Sequence, residues 1–195
     1  MVEPVLPLWA VVADASVLGV LAVATIGRWT RPTPADHAAV AFACGCAAVS
    51  GGGSGIAETA AVVALTAWAG VLCVVDAHLL RLPDELTLPA AAAVILAADH
   101  PGPAIVGAAT YAALHWLAAA AVPGAVGGGD VKLCLALGAV GGQAGTEVWV
   151  SAAVLAPILG LVAAAAAAGV GVRGPYPYGP PLCAATLVAW LGAAT

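Results

Sequence analysis

The chain has 195 residues, of which 63% are hydrophobic and only 8% charged. A soluble globular domain carries about 25% charged residues, so this chain lacks the polar side chains to cover a water-facing surface, and its hydrophobicity excludes a disordered one. Five Lys and Arg against ten Asp and Glu, a net charge of −5, leave no basic stripe for phosphates and exclude a nucleic-acid partner. The composition is that of an all-α polytopic membrane protein. Small residues dominate the apolar fraction, with one Phe and one Met, and small residues let transmembrane helices approach closely. A tightly packed bundle forming a single domain over residues 1–195 is therefore expected.

A spanning helix needs about 20 apolar residues. On that basis eight segments are expected: Val5–Gly27, Ala38–Gly55, Ile56–Leu79, Leu86–Asp99, Ala104–Val122, Val131–Gly145, Glu147–Val172 and Leu182–Ala194. The second, fourth, sixth and eighth are short or interrupted by Gly, which leaves six to eight spans open. The first segment follows Glu3 without a basic flank and exceeds the length of a signal-peptide core, so it is expected to be retained. Arg28 and Arg31 follow the first segment, Arg81 separates the third and fourth, Lys132 opens the sixth, and Arg173 follows the seventh. Eight alternating spans put all five on one side, which the positive-inside rule makes cytoplasmic. Glu3, the Gly51–Gly55 turn, Asp99, His100 and Glu147 then face the opposite side, and both termini are expected to be extracytoplasmic.

Ionisable residues in membrane segments are costly and mark functional sites by default. Asp36, Asp84, Glu85, Asp99 and Glu147 read as loop or interface residues. Glu58 opens a helix, where solvation or the helix terminus accounts for it. Asp14 lies deeper and either pairs within the bundle or lines a site. Asp76 closes the apolar run Val71–Val75, and Asp130 follows Gly127-Gly128-Gly129; the charge topology puts both at the cytoplasmic level. Two carboxylates sharing a low-dielectric pocket cannot both ionise cheaply, so they share a proton. One then takes a proton from an attacking water while the other donates to the substrate carbonyl. Two interfacial helix caps are the plainer alternative.

Three stretches bear on that choice. Gly127-Gly-Gly129-Asp130-Val-Lys132 resembles the GxGD-x-K motif of the type IV prepilin leader peptidases. Asp76, seven residues before Pro83-Asp84 and the Leu86-Thr87 helix start, resembles the family's other signature. Pro177-Tyr178-Gly179-Pro180 is similar to its Pro-Phe-Gly-Pro element, with Tyr in place of Phe. The resemblance covers roughly Ile56 to Thr195. It implies that Asp76 and Asp130 are the catalytic pair of an intramembrane aspartic endopeptidase, with Gly127, Gly129, Lys132, Pro83, Asp84, Pro177, Tyr178, Gly179 and Pro180 as supporting positions. It further implies a substrate with a basic leader and an apolar helix, membrane lipid as surroundings, cleavage at the cytoplasmic face, and no metal or organic cofactor. Bifunctional members carry a cytoplasmic insertion between the first two helices, often with zinc ligands, and also N-methylate the product. Here that place holds only Arg28–His37, so a short-form peptidase without methyltransferase activity is expected, serving Flp/Tad pilins, pseudopilins or preflagellins.

Other residues have plainer readings beside the functional ones. His78 either tunes Asp76 or is an exposed interfacial histidine. Lys132 either offsets the charge of the pair and steers an acidic group, or anchors the helix at the interface. His115 and Trp116 read as packing residues, Trp9, Trp29 and Trp149 as belt aromatics, and the five cysteines as small core residues. The competing class is a small ion- or proton-coupled transporter that uses Asp14, Asp76 and Asp130 as ion sites. An inactive family member acting in assembly is a third.

Overall fold

The computed structural model describes residues 8–50, 56–172 and 174–193. Eight α-helices and one 3-10 turn make up the architecture, with no strand among the described residues: α1 (Leu8–Ala24, extended by the 3-10 turn Thr25–Arg28), α2 (Pro34–Ser50), α3 (Ile56–Leu79), α4 (Asp84–Leu96), α5 (Pro101–Ala121), α6 (Gly128–Ala144), α7 (Thr146–Gly169) and α8 (Gly179–Ala193). It is an all-α polytopic membrane protein. Glu3, the Gly51–Gly55 turn and Arg173 lie outside the described residues, as do the side chains of Trp9 and Glu58.

The expected segments match these helices one for one, and the boundaries differ for local reasons. α2 begins at Pro34 rather than Ala38 because Thr33 caps it and Pro fits the first helical position, where no N–H is needed. α1, α3, α5 and α7 contain stretches long and apolar enough to cross a bilayer, namely Val11–Arg28, Thr59–Leu79, Pro101–Ala121 and Thr146–Gly169. The alternate helices are short, with 17 residues in α2, 13 in α4, 17 in α6 and 15 in α8. At 1.5 Å per residue α4 reaches about 20 Å, well under a hydrocarbon core of about 30 Å.

The chain divides into two compact units, one ending at His78 and one beginning at Leu79. In the first, α1 packs along α2, and α2 meets α3 where Gly70 faces Val40. In the second, α6 is central, touching α4, α5, α7 and α8. Its Leu133, Cys134, Ala136, Leu137, Gly138, Ala139, Val140 and Gly141 are all buried. Small residues fill much of the interior beside Tyr111, Leu133, Leu137 and Leu182, whereas Ile105, Leu117, Val154, Ile158 and Leu161 point outward. In lipid both faces of a helix are apolar, and small residues serve where two helices approach closely.

The α5–α6 contact shows what the small residues do. A Cβ on Gly107 would strike the Gly138 carbonyl oxygen and lie 2.7 Å from the Gly142 Cα. One on Gly138 would lie 2.5 Å from the Gly107 carbonyl oxygen and 2.7 Å from the Tyr111 Cβ. The two backbones therefore touch, and only glycine fits. Trp149 reaches over this contact from α7, its indole Nε1 donating to the Gly107 oxygen at 3.1 Å. It is half-buried and packs edge-on to Tyr111, so it has a packing role beyond that of the expected belt aromatic. A single residue, Gly145, separates α6 from α7, and its φ of +125° is open to glycine alone.

Several side chains depart from expectation because helix register decides their face. Trp116 is 60% exposed while its neighbour His115 is buried, so only the histidine packs inside. Cys44, Cys134 and Cys183 are buried but Cys46 is exposed, as residues two apart on a helix diverge. Asp14 is exposed on α1 rather than drawn into a core. Trp29 is half-buried, with the Arg28 guanidinium 3.6 Å above its ring.

Overpacking the α5–α6 contact is expected to cost more than the usual 1–3 kcal/mol of an enlarged core residue, because the opposing atoms are backbone. Gly107→Val should therefore lower the melting temperature of the detergent-purified protein sharply. Gly102→Ala, at a position with open space around it, should leave it within about 1 °C, since surface changes away from special features stay within about 0.5 kcal/mol.

Candidate active site

Asp130 is the third residue of α6 and is 8% exposed. Its Oδ2 accepts a hydrogen bond from the Gly127 N–H at 3.0 Å, satisfying one of the amides that a helix N-terminus leaves without a partner. The Gly127 carbonyl in turn accepts from the N–H groups of Asp130 and Val131, at 3.1 and 3.3 Å. The glycine run thus becomes the N-cap and first turn of α6, with Asp130 folded back over it. Asp76 lies in the last turn of α3 and is 5% exposed.

The chain leaves α3 through Leu80, whose φ of +52° is a left-handed conformation that a leucine rarely adopts. Leu82 is buried against the glycine loop, where a Cβ on Gly129 would meet the Leu82 Cβ at 3.0 Å and its N at 3.3 Å. A side chain at Gly129 would force Leu82 to give by a few tenths of an ångström. Pro83 then caps α4, its carbonyl accepting from Leu86 N at 3.1 Å and Thr87 N at 3.3 Å, with Thr87 fully buried below. Asp84, the next residue, receives Lys132 Nζ on both oxygens, at 2.6 and 2.8 Å. The Pro-Asp signature and the GxGD-x-K loop are therefore joined twice within the second unit, by Leu82 on Gly129 and by Asp84 with Lys132. Lys132 is thus paired with Asp84, a partner that neither reading of it from sequence included.

Pro177, Tyr178, Gly179 and Pro180 form the entry to α8, and Gly179 is buried. The Tyr178 carbonyl accepts from Leu182 N at 3.2 Å. Its ring occupies the space left by Gly160 of α7, where a Cβ would come within 2.6 Å of the Tyr178 Cε2. The ring centroid stands 6.0 Å from that of His115 on α5. Burial, with Cys134 and Asp130 adding charge repulsion, pushes the Tyr178 phenol up to about 12, so it stays a neutral O–H near Asp130 at ordinary pH. His115 stacks edge-on to Tyr111 at 4.7 Å, and its Nδ1 lies 3.0 Å from the Tyr111 carbonyl. Tyr111 in turn donates to the Ala152 carbonyl at 3.3 Å.

In the first unit, His78 Nε2 lies 3.1 Å from Asp36 Oδ2. Asp36 belongs to a capping box with Thr33: its Oδ2 accepts from Thr33 N at 2.6 Å and from Thr33 Oγ1 at 2.9 Å, and its own N–H reaches Thr33 Oγ1 at 3.3 Å. The pattern Thr-Pro-Ala-Asp before an apolar run is a capping signature readable in sequence; the bond to His78, 42 positions away, is not. Among the described residues no group of three or more His, Cys, Asp or Glu side chains is gathered closely enough to hold a metal ion.

The Asp84–Lys132 pair is solvent-accessible, with side chains 56% and 42% exposed, so its contribution is that of a surface pair, about 0.2–1 kcal/mol. Asp84→Ala and Lys132→Ala should each destabilise the protein by no more than this. A double-mutant cycle on thermal unfolding should return a coupling in the same range, and strict additivity would show that the pair holds nothing together.

The profile of the type IV leader peptidase family matches residues 63–172. That span includes Asp76, Asp84, Asp130 and Lys132, and it stops short of the Pro-Tyr-Gly-Pro element. No curated protein and no solved structure matches the chain.

Proposed function

The chain belongs to the type IV leader peptidase family, and from that premise we propose that it is an aspartic endopeptidase that removes the leader of type IV prepilin-like precursors, with Asp76 and Asp130 as its catalytic pair. The observation that carries the reading is the burial of these two carboxylates, 5% and 8% exposed, each inside a separate motif of a chain very poor in charge.

The chemistry follows from a carboxylate pair sharing one proton. The ionised member takes a proton from water as the oxygen attacks the scissile carbonyl, and the protonated member donates to the carbonyl oxygen. When the tetrahedral intermediate collapses, the C–N bond breaks and a proton passes to the departing amine. Water is the only co-reactant. Gly127 and Gly129 give the loop before Asp130 its close packing, Leu82 and the Asp84–Lys132 pair brace it, and Tyr178 supplies a neutral hydroxyl nearby. Pro83, Pro177, Gly179 and Pro180 shape the two helix entries.

The substrate we propose is a Flp/Tad pilin, pseudopilin or preflagellin precursor with a basic leader followed by an apolar helix, cut at the cytoplasmic face of the cell membrane. In the sequence Arg28, Arg31, Arg81, Lys132 and Arg173 fall at every second junction of the eight segments, which by the positive-inside rule supports that face; both termini are proposed to lie opposite, with the whole chain acting as one peptidase domain. The short linker Trp29–Thr33 between the 3-10 turn and α2 supports a peptidase without N-methyltransferase activity or bound metal.

Asp76→Asn and Asp130→Asn should each reduce cleavage of a cognate precursor by about 10²-fold or more, the scale of general acid–base catalysis, while both variants still insert in the membrane. Cleavage that survives both substitutions overturns the assignment. Incubation of the cleaved product with a radiolabelled methyl donor should leave its new amine unlabelled.

A further inference from the structure

We propose that Asp36 and His78 form a latch that holds the last turn of α3, and with it Asp76, in its working orientation. Both are positioning residues, and the inference rests on the reading of Asp76 as catalytic. His78 follows Asp76 by two positions, which places it about 200° around the helix at 100° per residue. The two side chains therefore leave the same turn on opposite sides: Asp76 is buried and His78 is directed to Asp36 at 3.1 Å. Rotation or unwinding of that turn would move both together.

The last turn of a helix is its weakest part, since its carbonyls lack partners within the helix. α3 also ends against Leu80 in a strained left-handed conformation, so continuation of the helix does not stabilise its end. Packing of Val74, Val75 and Asp76 holds one side of this end, and on the other side Asp36 is a fixed anchor for a tether. Its Oδ2 is already held by the Thr33 amide and hydroxyl at the start of α2, and Thr33 O is itself 2.9 Å from His37 Nδ1. The side chains of Asp36 and His78 are 22% and 33% exposed, so the bond lies at the surface and draws its strength from the prior fixing of Asp36. The tether links the first turn of α2 directly to the helix end that carries Asp76.

The test uses the purified full chain, a precursor cleavage assay and amide hydrogen exchange over residues 74–79. His78→Ala and Asp36→Ala should each lower kcat about tenfold, since small misplacement of a reacting group is costly, with KM little changed. The double variant should be no worse than either single one, and His78→Gln, which keeps a donor toward Asp36, should recover most of the activity. Both alanine variants should speed exchange in the last turn of α3. His100→Ala, an exposed histidine ahead of α5, should change neither readout. Unchanged exchange at 74–79, or single effects on kcat that add in the double variant, would overturn the latch. Absence of any precursor cleavage by the unmodified chain would instead overturn the peptidase reading, and the exchange measurement would still decide whether the tether holds the turn.

Discussion

Backbone contact between α5 and α6 is the constraint on which the second unit depends. Within lipid no hydrophobic force draws one apolar helix to another, because the tails are as apolar as the side chains. What remains is dispersion, which falls off steeply with separation and rewards close approach. Gly107, Gly138 and Gly142 bring the two backbones together, with Trp149 donating to a carbonyl at the contact. Since α6 also opens with Asp130, the glycines that fix this helix against α5 fix the position of the carboxylate as well. The small-residue composition is thus a packing requirement, and one that holds a candidate catalytic group in place.

The helix pattern was readable from hydropathy because each segment, long or short, is apolar and bounded by Pro, Gly or charge. The motif residues were readable because Asp76, Pro83-Asp84, Gly127–Asp130 and Pro177–Pro180 keep a recognisable order and spacing. What the sequence did not disclose was pairing across long separations. Nothing local in His78 or Asp36 announces their bond, and nothing in Lys132 singles out Asp84 from the other acids. Trp149 shows the same limit: a tryptophan near a helix start reads as interfacial, and its bond to a carbonyl of α5 emerges only in the fold. Gly107 stood in a chain with 24 glycines, and composition alone cannot separate those that touch a backbone from those that touch nothing.

Most of the acids in the described helices follow one rule, and two of them call for a further account. Acids occupy the first turns of α2, α4, α6 and α7, as Asp36, Asp84 with Glu85, Asp130 and Glu147. That is where unpaired amides and the helix dipole favour them by about 0.3–1 kcal/mol each. Asp36, Asp84, Glu85 and Glu147 keep access to solvent, and for them capping is a sufficient explanation. Asp130 is capped in the same manner yet buried, and burying an ionisable group costs more than a cap returns. Asp76 stands at the opposite end of its helix, in the last turn of α3, where carbonyls point outward and the dipole opposes a carboxylate, and it too is buried. Helix capping accounts for neither placement, and the catalytic role proposed for the pair offers one reason for both.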